Sequence, residues 1–134
     1  MRLAHRWHGL LAFVALIGAV SLAADAEADA ASEISRQEAL ALQESGEGLL
    51  FVDVRTPEEY DSGHVPGAVN IPRDQLPSRF AELESARDRL VVYCERGPRA
   101  VAAAATLVSE GFTNVRHLTG DMAGWRAAGL PIEK

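Results

Sequence analysis

The chain of 134 residues has room for one ordinary domain, and its 48% hydrophobic and 24% charged content exclude wholesale disorder. Thirteen Lys and Arg against nineteen Asp and Glu give a formal charge of −6, which argues against nucleic acid or an anionic membrane surface as a partner. One cysteine excludes an intrachain disulfide and any multi-cysteine metal or iron–sulfur site.

The N-terminal stretch reads as a targeting signal. Arg2 and Arg6 flank the start of an apolar run from Gly9 to Ala24, and small residues stand at Ser21, Ala23, Ala24 and Ala26. This pattern predicts a signal peptide over residues 1–26, cleaved between 23 and 26, and a periplasmic protein. The run is shorter than the ~20 apolar residues of a spanning helix. The alternative is an uncleaved anchor that leaves the domain outside the cytoplasm. Residues 27–33 read as a short linker into a domain over 34–132.

Ser35 with Glu38 forms a capping-box pattern that opens a helix carrying Leu40, Ala41 and Leu42, stopped by Gly46 and Gly48. Leu49 to Val54 is nearly continuous apolar sequence, as in a buried parallel strand. Thr56-Pro57-Glu58-Glu59 starts a second helix, with a Thr cap, Pro at the first helical position and Glu at the third; Gly63 ends it. Pro66-Gly67 turns into a short strand over 68–71. Pro72 and Pro77 flank an irregular segment, with 79–83 helical.

Arg89 to Tyr93 is another buried strand. A helix follows from Arg99, whose face is expected to comprise Val101, Ala104, Ala105 and Val108. Gly111 closes it, 115–118 forms a last strand, and 122–128 a last helix. Strands alternating with helices predict an α/β fold with a mostly parallel sheet covered on both faces.

In such sheets ligands bind beyond the carboxyl ends of the strands. Cys94 stands there, opening the loop Cys94-Glu95-Arg96-Gly97-Pro98-Arg99. A helix N-terminus and two arginines favour an anion and raise the thiolate fraction, while Gly97 permits a curve that turns amides inward. A buried strand-end cysteine is the structural alternative. Asp53 and Arg55 either face this pocket or fix the sheet edge as a charge pair. Glu95 either steers an acceptor or is a solvated loop side chain.

His64 invites a general-base reading but fits better as a residue that orders its loop, and His117 reads as core or surface. Trp125 either lines the mouth of the site or packs in the core. The histidines and the cysteine have no recognisable zinc spacing, so no metal is expected.

Cys94-x-x-Gly97-x-Arg99 after a buried strand resembles the active-site loop of the rhodanese (sulfurtransferase) family. Asp53-Val54-Arg55, Glu58-Glu59-Tyr60, Gly63-His64-Val65-Pro66-Gly67-Ala68 and Asn70-Ile71-Pro72 resemble the family's first half. Gly120, Met122, Trp125, Gly129 and Pro131 resemble its closing segment. The resemblance runs from about Ile34 to Ile132. It implies a rhodanese-like three-layer fold with about five strands and a persulfide relay at Cys94.

In that relay the thiolate takes the outer sulfur of thiosulfate or a persulfide and passes it to a thiol or cyanide, with no cofactor. Arg96 is then the group that holds an anionic donor, and Arg99 the brace of the loop. Two departures stand out. Pro98 has no N–H to offer the sulfur. Glu59 occupies a place where two-domain thiosulfate enzymes carry an arginine, which leaves the donor open. The competing readings are a binding or sulfur-relay module for a dedicated periplasmic partner and a cysteine phosphatase or arsenate reductase. The phosphatase signature has five residues between Cys and Arg, whereas Cys94 and Arg99 enclose four.

Overall fold

A computed structural model describes residues 30–134. The expected leader lies outside the described residues. Five strands form one parallel sheet: β1 (Ser32–Ile34), β2 (Leu50–Asp53), β3 (Val69–Asn70), β4 (Leu90–Tyr93) and β5 (Arg116–Leu118), in the order β1-β5-β4-β2-β3. The helices are α1 (Arg36–Glu44), α2 (Pro57–Ser62), α3 (Pro98–Ser109) and α4 (Asp121–Ala127). The α/β class and the parallel sheet agree with the sequence.

Local chemistry sets the ends of these elements. The Ser35 hydroxyl accepts the Glu38 N–H, and Thr56 with Glu59 closes a complete capping box in front of α2. Pro98 takes the first position of α3, where its missing N–H costs nothing. The helix expected over 79–83 is instead part of two 3-10 segments, Arg73–Ser78 and Phe80–Ala86. They bury Leu76, Leu83 and Ala86 without completing an α-helical turn.

Two further expectations are corrected. Ser32 and Glu33, placed in the linker, pair with Arg116 and His117 as an edge strand. Only Ile34 of that strand is buried, too little apolar sequence to signal a strand. The inward face of α3 is Ala100, Ala103, Ala104 and Leu107, one residue out of phase with the expected face, and Val101 is 58% exposed. The methyl side chains bring α3 close to the sheet, and Leu107 anchors its far end. The valines flank this stripe.

The sheet divides the core into two layers by the strand period of two. Leu90, Val92 and Cys94 pack with Val52, Leu76, Leu83 and the α3 alanines. Val91 and Tyr93 pack with Phe51, Ala39, Met122 and Trp125 beneath α1 and α4. β3 lies outside β2, and the chain then returns to place β4 on the other side of β2. The loops after β2 and β4 therefore meet at a switch in strand order, where α/β sheets open a crevice.

Candidate active site

Cys94 follows β4 and continues its alternation, so its side chain enters the α3 layer and is only 1% exposed. The chain then curls back, and the Gly97 N–H donates to Cys94 Sγ at 3.0 Å. Gly97 has φ +127°, a conformation that disfavours side chains, and it immediately precedes α3. The thiol thus receives a backbone amide at the N-terminal end of a helix.

The loop after β2 supplies a buried charged knot. Arg55 donates to Asp53 Oδ2 at 2.7 Å and to the Gly63 carbonyl at 2.8 Å, and the pair is almost fully buried. Asn70 Nδ2 donates to the carbonyls of Asp53 and Arg55, both at 3.0 Å. Burial works against the Arg55 charge, but the Asp53 hydrogen bond and charge outweigh it and raise its pKa. Of the two readings for this pair, the geometry is that of a sheet-edge clamp. It ties together Asp53, Arg55, Gly63 and Asn70 from separate sequence motifs.

Glu95 is neither free nor simply solvated. It forms a two-point ion pair with Arg126 of α4 and lies 3.6 Å from Arg55. The Arg126 hydrogen bonds hold its carboxyl below the usual range, with Arg55 and Arg96 adding to the effect. Arg99 pairs with Glu59 through both guanidinium nitrogens, at 2.9 and 3.2 Å, and so ties α3 to α2. The Glu59 bonds raise the Arg99 pKa, and the nearby Cys94 charge raises it further. Arg96 is exposed and has no ion-pair or hydrogen-bond partner among the described residues. A pocket of about 210 Å³ beside the loop is lined by Arg55, Arg73, Asp74 and Arg99.

His64 orders its loop, as its sequence context suggested. Its Nδ1–H donates to the Tyr60 carbonyl at 2.8 Å, and its ring stacks on Tyr60 at 3.6 Å between centroids. Trp125 belongs to the core, edge-on to Phe51, with its indole N–H on the Pro131 carbonyl. It borders an apolar pocket of about 250 Å³ with Leu40 and Val65, in the layer opposite Cys94.

Two residues reach the cysteine loop that the sequence did not assign to it. His117 Nε2–H donates to the Asp121 carboxylate, at 2.9 and 3.0 Å to its two oxygens. Asp121 Oδ1 also accepts the Cys94 N–H at 3.0 Å. Their four-residue spacing was visible, but it crosses from a strand to a helix start, where periodicity gives no reason to pair them.

The pattern of the rhodanese-like domain matches residues 35–128. An HTH-type transcriptional regulator of Mycobacterium tuberculosis is 44% identical over 114 residues, covering 84% of this chain and 49% of the regulator. The chain therefore spans about half the length of that relative. A sulfurtransferase of Allochromatium vinosum is 40% identical over 86 residues, covering 64% of this chain and 79% of that protein. Among solved structures, a Rhodopseudomonas palustris protein of unknown function, described as a possible tyrosine phosphatase, has a TM-score of 0.68 at 32% identity. That match covers 83% of this chain and 89% of the other.

Proposed function

Because the chain belongs to the rhodanese-like family, we propose that it is a sulfurtransferase whose Cys94 carries the transferred sulfur as a persulfide. The observation that carries this reading is the Gly97 N–H on Sγ at 3.0 Å, at the foot of α3 and beside the exposed Arg96. In the first half-reaction the Cys94 thiolate attacks the outer sulfur of the donor. A new S–S bond forms, and sulfite, or the thiolate of a persulfide donor, leaves with the electron pair. In the second, a thiolate or cyanide attacks the terminal sulfur and Cys94 leaves as thiolate. Electrons and atoms balance without a cofactor.

Arg96 supplies the positive charge for an anionic donor or leaving group. Arg99 is already engaged by Glu59, so a thiosulfate dianion must compete with an internal carboxylate for it. This favours a persulfide donor over thiosulfate. The expected leader places the reaction in the periplasm, and the mass of protein made in an exporting host gives the mature N-terminus.

The name of the Rhodopseudomonas palustris structure raises a phosphatase reading. The loop disfavours it, since four residues separate Cys94 from Arg99 and Glu59 occupies that arginine.

Thiocyanate formation from thiosulfate and from glutathione persulfide, alongside hydrolysis of an aryl phosphate, tests the proposal. The wild type should form thiocyanate and leave the phosphate intact, and Cys94→Ser should be inactive yet folded. Arg96→Ala should raise KM for thiosulfate more than for an uncharged persulfide. Glu59→Gln retains an acceptor for the Thr56 N–H but releases Arg99, and should raise kcat/KM for thiosulfate several-fold relative to glutathione persulfide. Turnover by Cys94→Ser, or aryl phosphate hydrolysis that depends on Cys94, contradicts the reading.

A further inference from the structure

Asp121 is the first residue of α4, is 2% exposed, and has φ +54° without being glycine. Such a conformation is strained and persists only where the surroundings enforce it. A buried carboxylate is costlier still unless its oxygens are occupied. Here both oxygens face His117 Nε2, and Oδ1 also takes the Cys94 N–H.

The same turn grips the other side of the cysteine. The Met122 and Ala123 amides donate to the Cys94 and Glu95 carbonyls at 2.9 and 3.1 Å. A methyl group on Gly97 would lie 3.5 Å from Asp121 Oδ2 and 3.8 Å from His117 Cε1. The His–Asp pair therefore bonds the loop at the amide of Cys94 and lies close beside the glycine whose N–H reaches Sγ.

We propose that Asp121 and His117 are positioning residues for the sulfur-carrying loop. They fix the Cys94 backbone so that the Gly97 amide stays aimed at the sulfur as it passes between thiolate and persulfide. This inference rests on the sulfur-transfer reading above. The loop between Cys94 and Pro98 has no strand or helix ladder of its own, so its geometry depends on what clamps it. Asp121 receives the Cys94 N–H, and His117 orients the carboxylate. Small displacements of a reacting group cost large factors in rate, which gives a strained aspartate a use at this point.

The test compares Asp121→Ala and His117→Ala with the conservative variants Asp121→Asn and His117→Gln, which retain an acceptor for the Cys94 amide and a side-chain donor respectively. Two readouts are taken: kcat and KM with glutathione persulfide, and the pH profile of Cys94 alkylation by iodoacetamide. The alanine variants should lose on the order of 10-fold or more in kcat, with KM within about twofold of wild type. Their alkylation midpoint should move to higher pH as the Gly97 amide leaves Sγ. Asn and Gln should recover most of both losses.

Wild-type kcat and alkylation in the alanine variants, a loss confined to KM, or an equal loss in the conservative variants overturns the proposal. If Asp121→Ala does not fold, the two His117 variants decide it, because His117 makes no direct bond to Cys94. If no variant, wild type included, accepts sulfur, the sulfurtransferase reading falls while the alkylation profiles still decide the positioning role.

Discussion

At the scale of single residues, the cysteine loop shows how far chemistry can be read from type and order alone. Cys94, Gly97 and Arg99 were legible because an amide-rich curve before a helix needs a glycine and carries its own positive field. Their partners were not. Glu59 and Asp121 reach the loop from other elements, and a linear sequence gives no measure of those distances.

Tyr93 offers a prediction at this scale. Its hydroxyl oxygen accepts the Val65 N–H at 3.1 Å, and burial, reinforced by the Asp53 charge, pushes its pKa far above the ordinary 10.0. Tyr93 stays neutral in the fold, whereas in the unfolded chain it ionises once pH passes about 10. Ionisation therefore favours unfolding, and the stability associated with Tyr93 is present below pH 10 and falls above it. Tyr93→Phe should cost about 1–3 kcal/mol at neutral pH by leaving the Val65 amide without a partner. Denaturant melts should show that difference shrinking above pH 10. A constant difference across that range contradicts this assignment.

At the scale of elements, α3 is the informative case. The sequence located the helix but not its rotation, because four consecutive alanines at 102–105 fit more than one phase and the valines at 101 and 108 favoured the wrong one. Packing chose the smaller ones, since a methyl stripe lets the helix approach the sheet. Val101→Lys should change stability by no more than about 0.5 kcal/mol, as at an ordinary surface site. Ala103→Lys places an unpaired charge in the core and should cost several kcal/mol or prevent folding. The reverse ranking in thermal melts would restore the phase expected from sequence.

The strands and caps were legible for a different reason. β2 and β4 are buried on both faces and carry continuous apolar runs, and the capping residues act locally. The edge strand β1 escaped because pairing with β5, rather than its own composition, makes it a strand. The Asp53–Arg55 knot lies between these cases. Its charge pair was readable, but its hold on Gly63 and Asn70 required the fold.

At the scale of the whole molecule, the domain is acidic, with basic groups concentrated where the loops after β2 and β4 meet: Arg55, Arg73, Arg96 and Arg99. Carboxylates already engage two of them, with Asp53 on Arg55 and Glu59 on Arg99. Arg96 remains exposed to an incoming anion. Burial of Cys94, the one thiol of the chain, limits the access of oxidants to its sulfur.

The measurement that bears most directly on the central claim is the intact mass of the purified protein after glutathione persulfide or thiosulfate, and again after cyanide. The protein should gain one sulfur, about 32 Da, localised to Cys94, absent from Cys94→Ser and removed by cyanide. A folded protein with a free thiol that takes up no sulfur from either donor would contradict it.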